Sequence, residues 1–272
     1  MGKDCTDDMI TSSANQQMKH LSQLMKRAKE RKKEQVFVVE GIKMFQEAPA
    51  ATVVSVYVSE SFLEKPEHEK CLQGYRYEVV SDAVFREISD TQTPQGILAI
   101  VRMPKYDLPD LLQGDRTHLL ILESVQDPGN LGTMVRTGEG AGITGIIMNK
   151  TTVDLFNPKT IRSTMGSIYR VPYLITEHLP DLLDELHKEN IRLYAAHLKG
   201  DTYYDAFDFT GACGFLIGNE GNGLSDEIAE CADCYLKIPM EGKVESLNAA
   251  VSAALLMYEC KRQRGEQNEN MV

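Results

Sequence analysis

Five polar residues stand out by type and placement: Asn130, Arg136, Glu220, Ser246 and Asn248. Each sits in or beside a run of turn-forming residues. Asn130 and Arg136 belong to VQDPGNLGTMVRTGEGAG (125–142), where Asp127, Pro128 and Gly129 make a turn and Asn130 is placed to cap a helix. Glu220 lies in GNEGNG (218–223), whose three glycines permit backbone conformations that side-chained residues resist. Ser246 and Asn248 open an apolar helix with Leu247, Val251, Ala254, Leu255 and Tyr258 at helical spacing. Taken singly, Asn130 is a helix cap and Glu220 a solvated turn carboxylate. Taken together they are amide, guanidinium, carboxylate and hydroxyl groups beside backbone-rich turns, the make-up of a ligand crevice. Asn130 and Arg136 are six residues apart, less than two helical turns, so both are expected at that crevice.

Other chemistries are poorly represented. Gly138, Gly140 and Gly142 mimic a dinucleotide fingerprint, but they end a helix and precede a strand, the reverse of what that fingerprint requires. There is no GxxxxGK[ST] phosphate loop. Cys231 and Cys234 form a lone CxxC at the end of a helix, away from the N-terminus where a thiolate is stabilised, and read as structural thiols. The six histidines form no ligand cluster, and no metal is expected; His197 follows a strand and is placed to line the crevice.

The elements that must position these residues alternate between strand and helix. A helix is expected from Ser12 or Ser13 to about Lys33, docked by a narrow stripe of Met18, Leu21, Leu24, Met25 and Ala28, with its basic residues in water. Residues 1–11 read as frayed. Strands at 35–40, 53–58, 77–80 and 95–101, with helices at 41–48, 62–72 and 82–88, make a small α/β domain (12–102). Met103–Asp115, with Pro104, Pro109 and Gly114, reads as a linker; we place it at 103–116. Strands at 119–123, 143–148, 171–175, 191–196, 215–217 and 235–238, alternating with helices, predict a second domain (117–265) with a mostly parallel sheet covered on both faces. The loops after 215–217 and 235–238 are expected to leave adjacent strand ends, and so to wall the crevice.

The net charge of −11 excludes binding of nucleic acid through uniform positive charge. Its distribution is uneven: residues 1–116 hold 16 Lys/Arg and 18 Asp/Glu (net −2), residues 117–272 hold 13 and 22 (net −9). Lys19, Lys26, Arg27, Lys29, Arg31, Lys32 and Lys33 face one acid, Glu30, in the same segment. That local, one-signed excess reads as an RNA-phosphate contact surface, against the plainer alternative of a solvated face. No apolar run is long enough to span a membrane and the N-terminus lacks a secretory core, so a cytoplasmic location with free thiols is expected.

Three stretches, QDPGNLGTMVRTGEGAG, GFLIGNEGNGLSDEI and IPMEGKVESLNAAVSAALLMYE, resemble in order, spacing and identity the three successive motifs of the SpoU (TrmH-type) RNA ribose 2′-O-methyltransferases of the SPOUT superfamily. The N-terminal SANQQMKHLSQLMKRAKERKKEQVFVVEGIKMFQEA is similar to the ribosomal-protein-like α/β RNA-binding domain joined to many of that family. The resemblance implies an α/β-knot fold, in which a mostly parallel sheet is threaded as a deep trefoil knot. It implies S-adenosylmethionine in the knot crevice and a homodimer whose two subunits build the site. Asn130 and Arg136 match the first motif's polar pair, Glu220 the second motif's acid, and Ser246 and Asn248 the third motif's pair. Backbone around Leu198, Ile217, Gly218, Asn219, Ile238 and Met240, with Leu247, is implied to hold the cofactor.

The family implicates the counterpart of Arg136 in activating the hydroxyl. A guanidinium holds its protons too tightly to be an easy base, so the expected role of Arg136 is to stabilise a developing alkoxide or grip a phosphate. The activity so implied is methylation of ribose in 23S ribosomal RNA, recruited through Lys19, Lys26, Arg27, Lys32 and Lys33. Transfer RNA as substrate, and a non-catalytic RNA-binding or ribosome-assembly protein retaining the fold, are the alternatives.

Overall fold

The computed structural model describes residues 9–243 and 246–269. The expected fraying of the first residues, Cys5 and Glu245 of the third loop therefore lie in whole or part outside the described residues. The chain folds as two compact units, one of residues up to Pro104 with Asp154–Tyr169, the other of Lys105–Val153 with the residues from Arg170 onward.

In chain order the first unit opens with α1 (Gln16–Lys26), α2 (Ala28–Glu34), β1 (Val36–Glu40), α3 (Ile42–Glu47), β2 (Val53–Ser59), α4 (Pro66–Cys71), β3 (Glu78–Val80), α5 (Asp82–Ile88) and β4 (Ile97–Arg102). The second unit begins with α6 (Leu108–Leu111), β5 (His118–Leu122), α7 (Pro128–Ala141) and β6 (Gly145–Asn149); α8 (Pro158–Thr164) belongs to the first unit again. Then follow β7 (Tyr173–Thr176), α9 (Leu179–Lys188), β8 (Arg192–Ala196), β9 (Thr202–Tyr203), β10 (Cys213–Ile217), α10 (Asp226–Glu230), β11 (Cys234–Lys237) and α11 (Ala249–Glu269).

The first unit is a four-stranded sheet in the order β1-β4-β2-β3, with β4 antiparallel to both its neighbours. Alternate residues of β1 separate its faces, since side chains in a strand point to opposite sides. Val36 and Val38 join Met18, Leu21, Leu24 and Met25 of α1 and Val84, Phe85 and Ile88 of α5 in one cluster. Phe37, on the other face, lies 4.9 Å from the ring of Phe156 in the 154–169 segment.

The single basic helix expected over 12–33 is two. Asn15, rather than Ser12 or Ser13, caps α1, and Arg27 between the helices is extended (φ −122°, ψ 109°). The cause is Arg31. Its guanidinium donates to the carbonyls of Leu24 (2.6 Å) and Met25 (3.0 Å), at the end of α1 where intrahelical donors run out, and to Asp154 (2.5 Å). Only 3 % exposed, Arg31 is thus an internal tie and not one of the water-facing bases the segment was expected to hold throughout.

The second unit is a seven-stranded sheet in the order β7-β6-β5-β10-β8-β11-β9, with every pairing parallel. β5 and β10 are buried along their whole length, as expected of central strands covered on both faces. On one face α9 contributes Leu179, Leu182, Leu183 and Leu186 to a core with Leu119, Ile121, Leu193 and Leu216. α11 packs on α7 and β10, burying Ala250, Ala253, Leu256, Met257 and Cys260. A Cβ on Gly138 would meet Ile143 at 2.3 Å, one on Gly140 would stand 3.0 Å from the Tyr258 hydroxyl, and Gly142 ends α7 in the left-handed region (φ +78°). The glycines that mimicked a dinucleotide fingerprint therefore serve close packing and a helix stop.

Two expectations about the loops need correcting. β10 and β11 are not adjacent: β8 lies between them, so the loop after β8 stands between the other two. The stretch 197–205, which lies outside the strands expected at 191–196 and 215–217, contains the short edge strand β9. Because all strands run the same way, the loops after β5, β6, β8, β10 and β11 all emerge at the carboxyl end of the sheet.

Candidate active site

The loop after β10 closes on itself. Asn219 and Gly223 exchange backbone hydrogen bonds of 2.9 Å in both directions, and the Asn219 side-chain oxygen accepts from the N–H of Gly221 (3.0 Å) and Asn222 (3.1 Å). A Cβ on Gly218 would fall 2.1 Å from both the carbonyl carbon of Gly223 and the nitrogen of Leu224, so only glycine fits there. The Asn219 amide also donates to the carbonyl of Ser124 (2.9 Å), pinning this loop to the end of β5.

That pin presents Glu220 to the start of α7. Its carboxylate accepts from the backbone N–H of Gln126 (2.9 Å) and Asp127 (3.0 Å) and from the Asn130 amide (3.0 Å). Burial alone would raise its pKa; the donors at Gln126, Asp127 and Asn130 outweigh that and hold it below the usual glutamate range. Asn130 in turn accepts from the Asn248 amide (2.9 Å), and the Asn248 oxygen caps α11 by accepting from Ala250 (2.8 Å) and Val251 (3.3 Å). A carboxylate and two amides thus link the three loop regions in one directed chain.

Asn130 is not the cap expected from the sequence. Asp127 caps α7, accepting from the Asn130 N–H at 2.8 Å, with Pro128 in the first turn. The signal was available, since Asp before Pro at a helix start is a strong N-terminal pattern. Capping by Asp127 frees the Asn130 side chain for Glu220. The donors at Gln126 and Asp127 were missed because they are backbone groups, which residue types do not reveal.

Beside this network lies a cavity of about 350 Å³. Leu198, Ile217, Gly218, Asn219, Ile238, Met240 and Leu247 all line it, together with Glu220, Ser246 and His197. Ser246 and Leu247 precede α11 and are not part of it. Arg136 is not brought to the cavity. Six residues along a helix is about 600°, some 240° around from Asn130, so the two side chains leave different faces. The Arg136 side chain is exposed and has no hydrogen bond or ion pair among the described residues. Lys19, Lys26, Arg27, Lys32 and Lys33 are likewise exposed, with no side-chain partner among the described residues.

A second cavity of about 580 Å³ lies along α7 and α11, lined by Asn130, Thr133, Thr137, Asn248, Val251, Ala254, Leu255 and Tyr258 among others. The stripe read from the sequence as the helix's apolar face is therefore its uncovered one: Val251 and Tyr258 are each 47 % exposed.

Among the described residues no group of three or more His, Cys, Asp or Glu is placed to hold a metal, and no helix is long and apolar enough to cross a membrane. The five cysteines described are free. Burial first, then the carboxylates of Asp184, Glu227 and Glu230, push the Cys231 thiol up, away from reactive thiolate.

Residues 117–258 match the SpoU rRNA Methylase family, and residues 15–99 the MRM3-like substrate binding domain. The chain is 34% identical over 251 residues to the 23S rRNA (guanosine(2553)-2′-O)-methyltransferase RlmP of Bacillus subtilis (strain 168), covering 92% of this chain and 97% of that protein. Among solved structures it is similar to an AdoMet-bound rRNA methyltransferase from Sinorhizobium meliloti (TM-score 0.81, 27% identity, 96% of this chain and 98% of that one). It is similar also to the SpoU methyltransferase AviRb from Streptomyces viridochromogenes in complex with the cofactor AdoMet (TM-score 0.84, 26% identity, 92% and 98%). With both units matched and the three loop regions joined as described, the chain belongs to the SpoU rRNA methylase family.

Proposed function

We propose that this protein transfers a methyl group from S-adenosylmethionine to a ribose 2′-hydroxyl of RNA, with 23S ribosomal RNA as the substrate. The observation that carries this reading is the Glu220–Asn130–Asn248 chain at the rim of the loop-walled cavity. The relatives support the substrate class: RlmP's name gives a 2′-O position in 23S rRNA. The cavity suits the cofactor. Gly218 lets the loop after β10 fold tightly on itself at the cavity wall, and Leu198, Ile217 and Leu247 offer apolar surface beside the main chain around Ile238 and Met240. When bound, the cofactor supplies an electrophilic methyl on a cationic sulfur.

The protein's own part is positioning, which is worth about 7–11 kcal/mol when reacting groups are well oriented. Glu220 is no free base, because backbone and amide donors already occupy its carboxylate. It fixes the start of α7 to the loop after β10, and Asn130 and Asn248 extend that tie to α11. Ser246 stands at the cavity wall, where it supports the crevice. Arg136, permanently charged, is the group that stabilises the alkoxide developing on the ribose oxygen or grips the adjacent phosphate.

Its exposed position fits delivery to a second subunit's cavity. The uncovered Val251, Ala254, Leu255 and Tyr258 stripe is the surface we assign to a homodimer. The strand order, with β10 between β5 and β8 and β11 between β8 and β9, is consistent with a trefoil-knotted path. Lys19, Lys26, Arg27, Lys32 and Lys33 recruit the RNA, and the reaction takes place in the cytoplasm, where ribosomal RNA is modified.

Titration calorimetry with S-adenosylmethionine tests the cofactor site. The full chain is expected to bind it, and Leu198→Asp, at an exposed position of the cavity wall, to weaken binding at least tenfold, as about 1.4 kcal/mol of lost contact would. No heat of binding by the intact protein would remove the proposal.

A further inference from the structure

The first unit carries a groove of about 420 Å³ that takes no part in anything described above. It lies between the beginning of β2 and the turn that leads into β3. β3 pairs with β2 only at Tyr57, Val58 and Ser59, so along residues 54–56 the outer edge of β2 has no strand partner among the described residues. Main-chain N–H and C=O groups on such an edge are open to a ligand. The facing wall is a turn with Gly74 in the left-handed region (φ +83°). Gln73, Tyr75 and Arg76 of that turn line the groove.

Each of the three suits a nucleotide. The Tyr75 ring is half-buried and packs against the Phe45 ring, 4.9 Å between centroids and tilted by 59°, so it is an anchored apolar surface. Gln73 is exposed and brings both an amide donor and an acceptor. The Arg76 guanidinium is exposed, has no partner among the described residues, and is the one charged side chain lining the groove. The occupant is therefore anionic or carries an anionic group.

The sheet register places further positive charge at the same end. β4 finishes at Arg102, which sits opposite Val36, the first residue of β1, and next to Val101, which pairs with Val53. Lys32 and Lys33 come just before β1, and Arg102, like them, is exposed without a partner among the described residues. With strands about 4.8 Å apart, β1 to β3 spans about 14 Å. Lys32, Lys33, Arg102 and Arg76 thus rim one end of the sheet and lead to the groove.

We propose that this groove takes one unstacked nucleotide of the RNA substrate. Its base rests on the Tyr75 ring, its edge is read by the Gln73 amide and the open main chain of β2, and its phosphate pairs with Arg76. Single-stranded RNA is recognised in this way, by stacking on aromatic side chains and hydrogen bonding to base edges. An added peptide strand fits less well, because the register of β2 slips between Val53 and Ser55 and such a bulge breaks the regular ladder a new strand would need. The inference rests on the reading that this protein binds RNA.

The test uses the full chain with a labelled short single-stranded oligoribonucleotide, the same RNA as a blunt duplex, and the double variant Gln73→Ala/Arg76→Ala, both at exposed positions. The variant is expected to bind the single strand about tenfold more weakly, with the slope of log affinity against log salt shallower by about 0.7, and to bind duplex RNA and S-adenosylmethionine unchanged. Hydrogen exchange should show the single strand protecting the amides of Val54–Val56. Unchanged affinity for the single strand, or no protection there, overturns the proposal. If Lys32→Ala/Lys33→Ala weakens binding while Gln73→Ala/Arg76→Ala does not, the groove is wrong and the RNA reading stands. If the intact protein binds neither RNA, both fall.

Discussion

At the scale of single residues, Asn248 does two jobs that one substitution can separate. Its oxygen caps α11 and its amide donates to Asn130. Asn248→Asp keeps the cap, since Asp and Asn are equivalent there, but replaces the donor with a second acceptor. Turnover is expected to fall about tenfold, the worth of one hydrogen bond, with the thermal midpoint almost unmoved; Asn248→Ala should lose about 1 kcal/mol of stability as well.

Glu220 gives a pH signature. Its folded pKa lies below the ordinary value of 4.5, so its contribution is present above that value and is lost as pH falls through the folded pKa. Denaturant midpoints of the protein and of Glu220→Gln should differ at neutral pH and converge in acid; a gap that persists in acid would mean the carboxylate is not the source. The sequence displayed these residue types, and it put Glu220 in the glycine-rich turn after β10 and Asn130 and Asn248 at the starts of α7 and α11. It did not show the partners of Glu220, because two of the three are main-chain N–H groups whose direction depends on how α7 begins.

At the scale of elements, α11 has two apolar faces and the protein covers one. Ala250, Ala253, Leu256, Met257 and Cys260 are buried, while Val251 and Tyr258 stand 47 % exposed beside Ala254 and Leu255. Helical spacing identified the second set as apolar but could not say which face meets the core, since small residues such as Ala250 and Ala253 mark close helix approach without a strong hydrophobic signal. Placing Asp at Val251 buries an unpaired charge in any dimer built on this face, so Val251→Asp should sediment as a monomer and lose methyl transfer while keeping its fold. A dimer that survives the change would assign the interface elsewhere.

The break between α1 and α2 was illegible for a related reason. Nothing near Arg27 in the sequence forbids a helix; the break is held by the Arg31 side chain reaching the last carbonyls of α1 and, over a hundred residues away in sequence, Asp154. The order β10-β8-β11 was also beyond reach, because alternation of strands and helices fixes the class of sheet and leaves the insertion of late strands open.

At the scale of the whole molecule, an acidic chain that binds RNA has to separate its charges. The second unit bears the whole of the −11, and the exposed, unpartnered bases Lys19, Lys26, Arg27, Lys32 and Lys33 lie in the first. That division, with a match of residues 15–99 to a substrate-binding domain and of residues 117–258 to a methylase family, supports the proposal that the first unit recruits RNA and the second carries the chemistry. Both assignments meet in one product. Ribose methylation of 23S ribosomal RNA should be mapped by resistance of the neighbouring phosphodiester to alkali, after incubation with S-adenosylmethionine and either the intact protein or Arg136→Ala. A methyl group on a ribose 2′-oxygen is expected with the intact protein and at least a hundredfold less with the variant, the loss expected for one transition-state contact to developing charge. A methyl group on a base, or an undiminished yield from Arg136→Ala, would contradict it.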